Sequence, residues 1–258
     1  MSNESISLGA RSGLQPMIGL HALRSPVRER GFFGLRESQP GMAIQGIQIR
    51  AADCPQFKRV ASALVSRRYA QRGYLTNTRA SEGERHLLTL SAVAEQRTLG
   101  TLGIRFDSDA GLGADAVFAD EMEALRASGL DLCEFTQLAL DVDVPSKTVL
   151  AALFHTAYIH AHHVHDAQML VIEVNPRHVA YYRRMLGFKV CSEARMNNRV
   201  QAPAVLMSLD FGYVEQQLRR YGGQPALGSL VRTLYPFFFS PQREAEIIAE
   251  LQLTALAA

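Results

Sequence analysis

Five histidines, His155, His160, His162, His163 and His165, fall within one eleven-residue stretch, a density that raises metal chemistry first. His160 and His163 stand three apart, on one face of a helix. A metal centre also needs ligands converging from elsewhere and a rigid outer shell, and histidines near a helix C-terminus gain from its dipole without binding anything. No metal is therefore expected. Cys54, Cys133 and Cys191 form no C-x-x-C pair, and an odd count argues against a disulfide framework. With no basic partner at a defined spacing, Cys133 and Cys191 read as small buried hydrophobes rather than nucleophiles. In "VNPRHVAYYRRMLGFKV" (174–190), Asn175 can cap a helix, Pro176 is preset for its first turn, and Gly187 supplies a turn that a side chain would obstruct. Basic residues gather at Arg67, Arg68, Arg72, Lys147, Arg177, Arg183 and Arg184. Such a patch can steer an acidic partner, but no nucleic-acid reading motif accompanies it, so no nucleic acid is expected.

The elements that must hold these residues follow from the pattern. A chain of 258 residues, 47% hydrophobic and 20% charged, can bury a full core in one domain, with or without an appendage. Its net charge of +2 demands no polyanionic partner. The apolar runs fall short of a membrane span and the N-terminus has no signal-like segment, so a soluble, cytoplasmic protein is expected. Residues 1–43 lack an apolar period and read as a flexible N-terminal arm. "IQGIQIR" (44–50) alternates as a strand, and Phe57, Val60, Ala61, Leu64 and Val65 then share a helical face ending near Gly73. Residues 86–107 predict a hairpin turning at Glu95 to Arg97, and 115–128 an amphipathic helix. Strand 131–141 feeds a helix begun near Pro145 and Ser146, "QMLVIEV" has the hydrophobicity of a central strand, and "FKVCSEARM" and "APAVLMSLD" close the sheet. Beyond residue 211 the signal is helical. "TLYPFFFSP" there either covers the mouth of a binding site or packs beneath it.

This order of elements, with a strand ending at Asn-Pro and a helix running to Gly-Phe, resembles the GNAT acyltransferase fold: α/β, a mixed central sheet flanked by helices, here spanning 44–210 with a helical C-terminal extension over 211–258. CoA-using members carry a Q/R-x-x-G-x-G/A loop whose bare amides hold the pyrophosphate. This chain has "DVDVPSKTVLAALF" there, without glycine. Side chains would keep a pyrophosphate off that backbone, whereas a phosphopantetheine arm bears one phosphate, which Ser146 or Lys147 could assist. The donor is thus expected on a protein. "SRRYAQRGY", the segment from "LGTLGIRF" to "EFTQLALD", "VLAALFHTAYIHAHH" and "LYPFFFSP" together resemble the long-chain N-acyl amino acid synthases of the FeeM type, relatives of the acyl-homoserine-lactone synthases. The resemblance implies transfer of a long fatty acyl group from acyl carrier protein to the α-amine of an amino acid. No cofactor would be bound permanently, phosphopantetheine arriving on the carrier, and the lipid product could make transient membrane contact.

The same resemblance assigns roles. Glu134 matches the E-x-S/T-R pattern beside the reacting amine, and a positioned carboxylate can take the proton that an α-ammonium must lose. Gln137 replaces the basic residue of that pattern, so the ion pair expected there is missing. Arg105 offers a planar fork to the acceptor's carboxylate. Thr136 can bond the acyl carbonyl, amides near Leu138 and Leu140 can stabilise an oxyanion, and Tyr182, one residue off the usual spacing to Gly187, stands for the acid that protonates the thiolate. Tyr74 and Asn175 complete the substrate-binding set, and the basic cluster becomes the docking face for the acidic carrier. Two alternatives remain: a lactone-type autoinducer synthase, opposed by Gln137 and the long C-terminus, and a catalytically silent module that binds carrier protein.

Overall fold

The computed structural model describes residues 46–52, 54–74, 87–141 and 146–256; the expected arm at 1–43 lies outside them. In chain order the elements are β1 (Gln48–Ala51), α1 (Pro55–Ala70), β2 (Leu87–Ala94), β3 (Arg97–Phe106), α2 (Asp115–Arg126), β4 (Leu132–Leu140), α3 (Ser146–Tyr158), β5 (Met169–Val174), α4 (Pro176–Leu186), β6 (Lys189–Val190), β7 (Arg195–Asn197), β8 (Ala202–Asp210), α5 (Phe211–Tyr221) and α6 (Pro241–Leu256). The sheet runs β1-β2-β3-β4-β5-β8-β6, with β7 also on β8. Only the β4–β5 pair is parallel among the described strands. The mixed α/β fold with a helical C-terminal region is as expected.

Local chemistry explains the joints. Glu95 and Gln96 take φ of 50° and 63°, the left-handed pair that a two-residue hairpin needs to match strand twist. Asn175 Oδ1 accepts from the Arg177 amide at 3.2 Å, capping α4. Gly187 closes it at φ 85°, where a Cβ would lie 2.3 Å from the Tyr213 ring. The predicted single strand "FKVCSEARM" is instead split into β6 and β7. Ser192 Oγ accepts the Leu206 amide at 2.9 Å, taking the place of a ladder carbonyl and breaking the strand.

Side-chain alternation sorts the layers. Ile104, Phe135, Leu170 and Ile172 face α3, α4 and α5 in the main core. On the opposite face α2 packs Phe118 and Met122 over Leu132, Val171 and Leu206, and α1 packs Leu64 and Val65 over Ala139. "TLYPFFFSP" packs beneath rather than over a mouth: Leu234, Tyr235 and Phe238 are buried in the main core. Thr233 Oγ1 and the Leu234 amide donate to the Met185 carbonyl, both at 2.9 Å, and Tyr235 Oη donates to that of Leu186 at 2.7 Å. The last carbonyls of α4, which have no partner within the helix, are satisfied by the extension. Histidines fasten it too. His155 stacks on Phe238 and Phe239 and its Nδ1 accepts the Phe239 amide at 2.9 Å, which keeps the ring neutral, as its burial also favours. His163 Nε2 lies 3.3 Å from Glu244 Oε1 on α6.

Candidate functional site

The site begins where β4 leaves its neighbours. Register on the β3 side jumps from Thr101↔Ala139 to Gly103↔Thr136, so Gln137 and Leu138 together face Leu102. This is a β-bulge, and Gln137 carries it at φ 52°. On the β5 side pairing stops at Glu134↔Val171. Beyond that point the strands splay and open a cleft of about 540 Å³.

The cleft is lined from both faces of the sheet. Leu102, Phe135, Phe154, Ile172, Val174 and Tyr182 bring apolar surface from the α3 side, and Arg105, Glu134, Glu173, Arg199, Tyr69 and Tyr74 bring polar groups from the α1 and α2 side. One end can therefore take a hydrocarbon chain and the other a charged head.

Glu134 is 1% exposed. Its Oε2 accepts from the Gly113 amide at 2.7 Å, and Arg105 stands directly opposite it in the β3–β4 register. A Cβ on Gly113 would lie 2.7 Å from Arg199 Nη1, 2.8 Å from Arg105 Nη1 and 2.8 Å from Glu134 Oε2, so the three groups converge on a glycine face. Burial pushes the Glu134 carboxyl above its usual range, against the pull of the Gly113 bond and of Arg105 and Arg199. Glu173 stands on β5 two residues beyond the Val171 that faces Glu134, hence on the same side of the sheet. Its Oε1 accepts from Asn197 Nδ2 at 3.0 Å and its Oε2 pairs with Arg199. Burial, with the Glu134 charge adding, overcomes these partners and raises Glu173 to about 7. Nearby, burial and then the Arg177 and Arg72 charges bring His178 down to about 4, leaving it neutral. The loop presenting Gly113 is tied by Arg126, which bonds Asp107 at 2.6 Å and Asp115 at 2.7 Å.

Of the residues expected from sequence, Glu134, Thr136, Tyr182, Arg105, Tyr74, Leu138 and Asn175 all line the cleft. Burial holds the Tyr182 phenol well above its ordinary range, which keeps it protonated. Leu140 is a correction: it lies outside the cleft, buried in the main core against Gly100, because the bulge turns it to the α3 face. Arg68 is another. It is 7% exposed beneath the surface of α1 and bonds Gln71, so it offers nothing to a docking partner. Arg72 lines the cleft itself. Arg67, Arg177, Arg183 and Arg184 are exposed and Lys147 half-exposed. Arg177 also donates to Tyr74 Oη at 2.8 Å, joining the end of α1 to the start of α4.

Sequence reasoning missed Glu173, Gly113, Asn197 and Arg199. One signal existed for Glu173, a lone charge inside the apolar run "MLVIEV". Arg199 pairs with Glu173 and brings a second guanidinium to the glycine face shared with Glu134, but from the β7–β8 turn, where no local pattern points to it. Among the described residues no three His, Cys, Asp or Glu side chains converge as a metal site.

Comparison with known proteins narrows the reading. The family model described as "N-acyl amino acid synthase FeeM" matches residues 60–210. The structure of FeeM, an N-acyl amino acid synthase from uncultured soil microbes, is similar at 27% identity and a TM-score of 0.60, over 64% of this chain and 92% of that one. An acyl-CoA N-acyltransferase from Pseudomonas aeruginosa aligns at 13% identity and a TM-score of 0.44, over 63% of this chain and 98% of that one. Escherichia coli ElaA aligns at 10% identity and 0.47, over 64% and 99%. No curated protein matches the sequence.

Proposed function

Given that the chain belongs to the FeeM family of N-acyl amino acid synthases, we propose that it moves a long-chain acyl group from acyl carrier protein to the α-amine of an amino acid, by direct attack while donor and acceptor are bound together. What carries this reading is the cleft itself, apolar from one face of the sheet and charged from the other, with the bulge between them. The acyl chain lies among Leu102, Phe135, Phe154 and Ile172. Arg105 holds the acceptor's carboxylate, and Glu134, its proton affinity raised by burial, takes a proton from the ammonium so that nitrogen can attack the thioester carbon. The amides of Gln137 and Leu138, where the bulge interrupts the ladder, would face the developing oxyanion, with Thr136 beside them. Tyr182, protonated in its buried setting, donates to the leaving thiolate.

The carrier as donor is supported by the glycine-free "DVDVPSKTVLAALF" that precedes and opens α3 and by the exposed arginines of α1 and α4, with Lys147. The basic face would steer the acidic carrier and lose its effect with salt.

Mass spectrometry of purified protein with all amino acids and a palmitoyl donor, on carrier or on CoA, tests the proposal. An N-acyl amino acid formed with carrier-bound donor, and abolished in Glu134→Gln, is the expected result. Product from CoA alone would overturn the donor assignment, and no product from either would overturn the synthase reading.

A further inference from the structure

Resting on that reading, we infer that Glu173 is a second catalytic carboxylate, paired with Glu134 so that both protons lost by the acceptor's ammonium find an acceptor inside the cleft.

The need is set by the reaction. An ammonium R–NH₃⁺ and a thioester R′–CO–S–X become the amide R–NH–CO–R′, the thiol HS–X and one proton. The first proton must leave nitrogen before attack, and the second must leave once the C–N bond has formed and nitrogen again bears a positive charge. A single buried carboxylate that has taken the first proton is no longer a base for the second.

The geometry supplies another. Glu173 and Glu134 lie on one face of adjacent parallel strands, at the point where those strands stop pairing, and both line the cleft. Asn197 and Arg199 each occupy one Glu173 oxygen, and every carboxylate oxygen has a second lone pair to offer. These bonds fix the group without consuming its capacity. The facing charges are Arg105 from β3, Glu134 from β4, Asp115 from α2 and Arg199 from the β7–β8 turn, with the Tyr69 phenol from α1. With Asp115 paired to Arg126, Glu134 and Glu173 stand among Arg105 and Arg199, two carboxylates with two guanidiniums, a set that mirrors a zwitterion. A mere counter-ion for Arg199 would not need a place beside a second acid, where each charge opposes the other. The rise of Glu173 to about 7 comes first from its burial, and the Glu134 charge adds to it. In the step proposed, Glu134 takes the first proton and nitrogen attacks; Glu173 takes the second. The C–S bond then breaks, Tyr182 gives its proton to the thiolate and is reprotonated with one of the two protons held by the carboxylates, and the other leaves to solvent.

The test is the pH profile of kcat/KM for the amino acid in wild type, Glu173→Gln and Asn197→Ala. Wild type should need both carboxylates ionised, giving an acid limb whose slope approaches two. Glu173→Gln removes the charge and keeps one of the two hydrogen bonds, because the amide has a single accepting oxygen. It should lose about a hundredfold in kcat with KM within roughly threefold, and show a one-proton limb displaced downward by roughly one pH unit. Asn197→Ala, which removes support but leaves the charge, should keep the two-proton slope. A Glu173→Gln enzyme with unchanged slope, or with kcat within threefold of wild type, overturns the inference alone. Wild type that forms no product overturns the synthase reading with it. Should Glu173→Gln fail to melt cooperatively, Glu173→Asp decides. Lowered kcat with the two-proton slope retained supports the role, and an unaltered rate removes it.

Discussion

Gly113 holds the site together by having no side chain. Its amide fixes Glu134, and its bare α-carbon leaves room for Arg105 and Arg199 to approach that carboxylate. Gly113→Ala would push three charged side-chain ends apart while leaving the main core untouched. The expected result is a loss of about ten- to a hundredfold in kcat/KM with little change in the thermal midpoint, measured by melting and steady-state assay. Glu134 and Arg105 were legible because a sequence pattern joins them to a known chemistry. Gly113 was not, since only the third dimension brings residue 113 to residue 134. Arg199 was hidden for the same reason, and Glu173 was visible only as a charge that an apolar strand has no packing reason to contain.

The bulge in β4 governs the cleft as an element. Gln137 lies in the left-handed region at φ 52°, where a β-branched side chain is disfavoured by about 1–3 kcal/mol. Gln137→Val is therefore expected to restore ladder pairing with β3 and withdraw the amide proposed to face the oxyanion, lowering kcat by about a hundredfold. Gln137→Gly, free at that φ, should retain most of the activity. Assay of the two variants side by side checks the point. Helix ends such as Asn175 and Gly187 were readable because capping is a local rule of a few residues. The bulge was not, because nothing in "EFTQLAL" states which two residues share one partner on the neighbouring strand. The break between β6 and β7 was likewise set by a hydroxyl at Ser192 reaching a neighbouring strand.

At the scale of the whole molecule, composition and element order conveyed the mixed sheet and its helical tail, but not how the tail is used. Tyr235, Phe238 and His155 make it part of the main core. The cleft, lined from both faces of the sheet, has a consequence for turnover. On the proposed reaction the product would be an amphiphile with its head and tail on opposite sides of one sheet, so that neither could slide out while the other stayed bound. Each additional buried methylene contributes about 0.8 kcal/mol, which lengthens residence roughly fourfold. Long donors should thus give a fast first turnover followed by a slow steady rate. Lipid vesicles that draw off the product should restore that rate for long chains and leave short ones unchanged, as a rapid-quench time course with and without vesicles would read. The chain length at which release would become slower than chemistry would then be a property of the split sheet, and the nearest hydrophobic sink would set the pace of the enzyme.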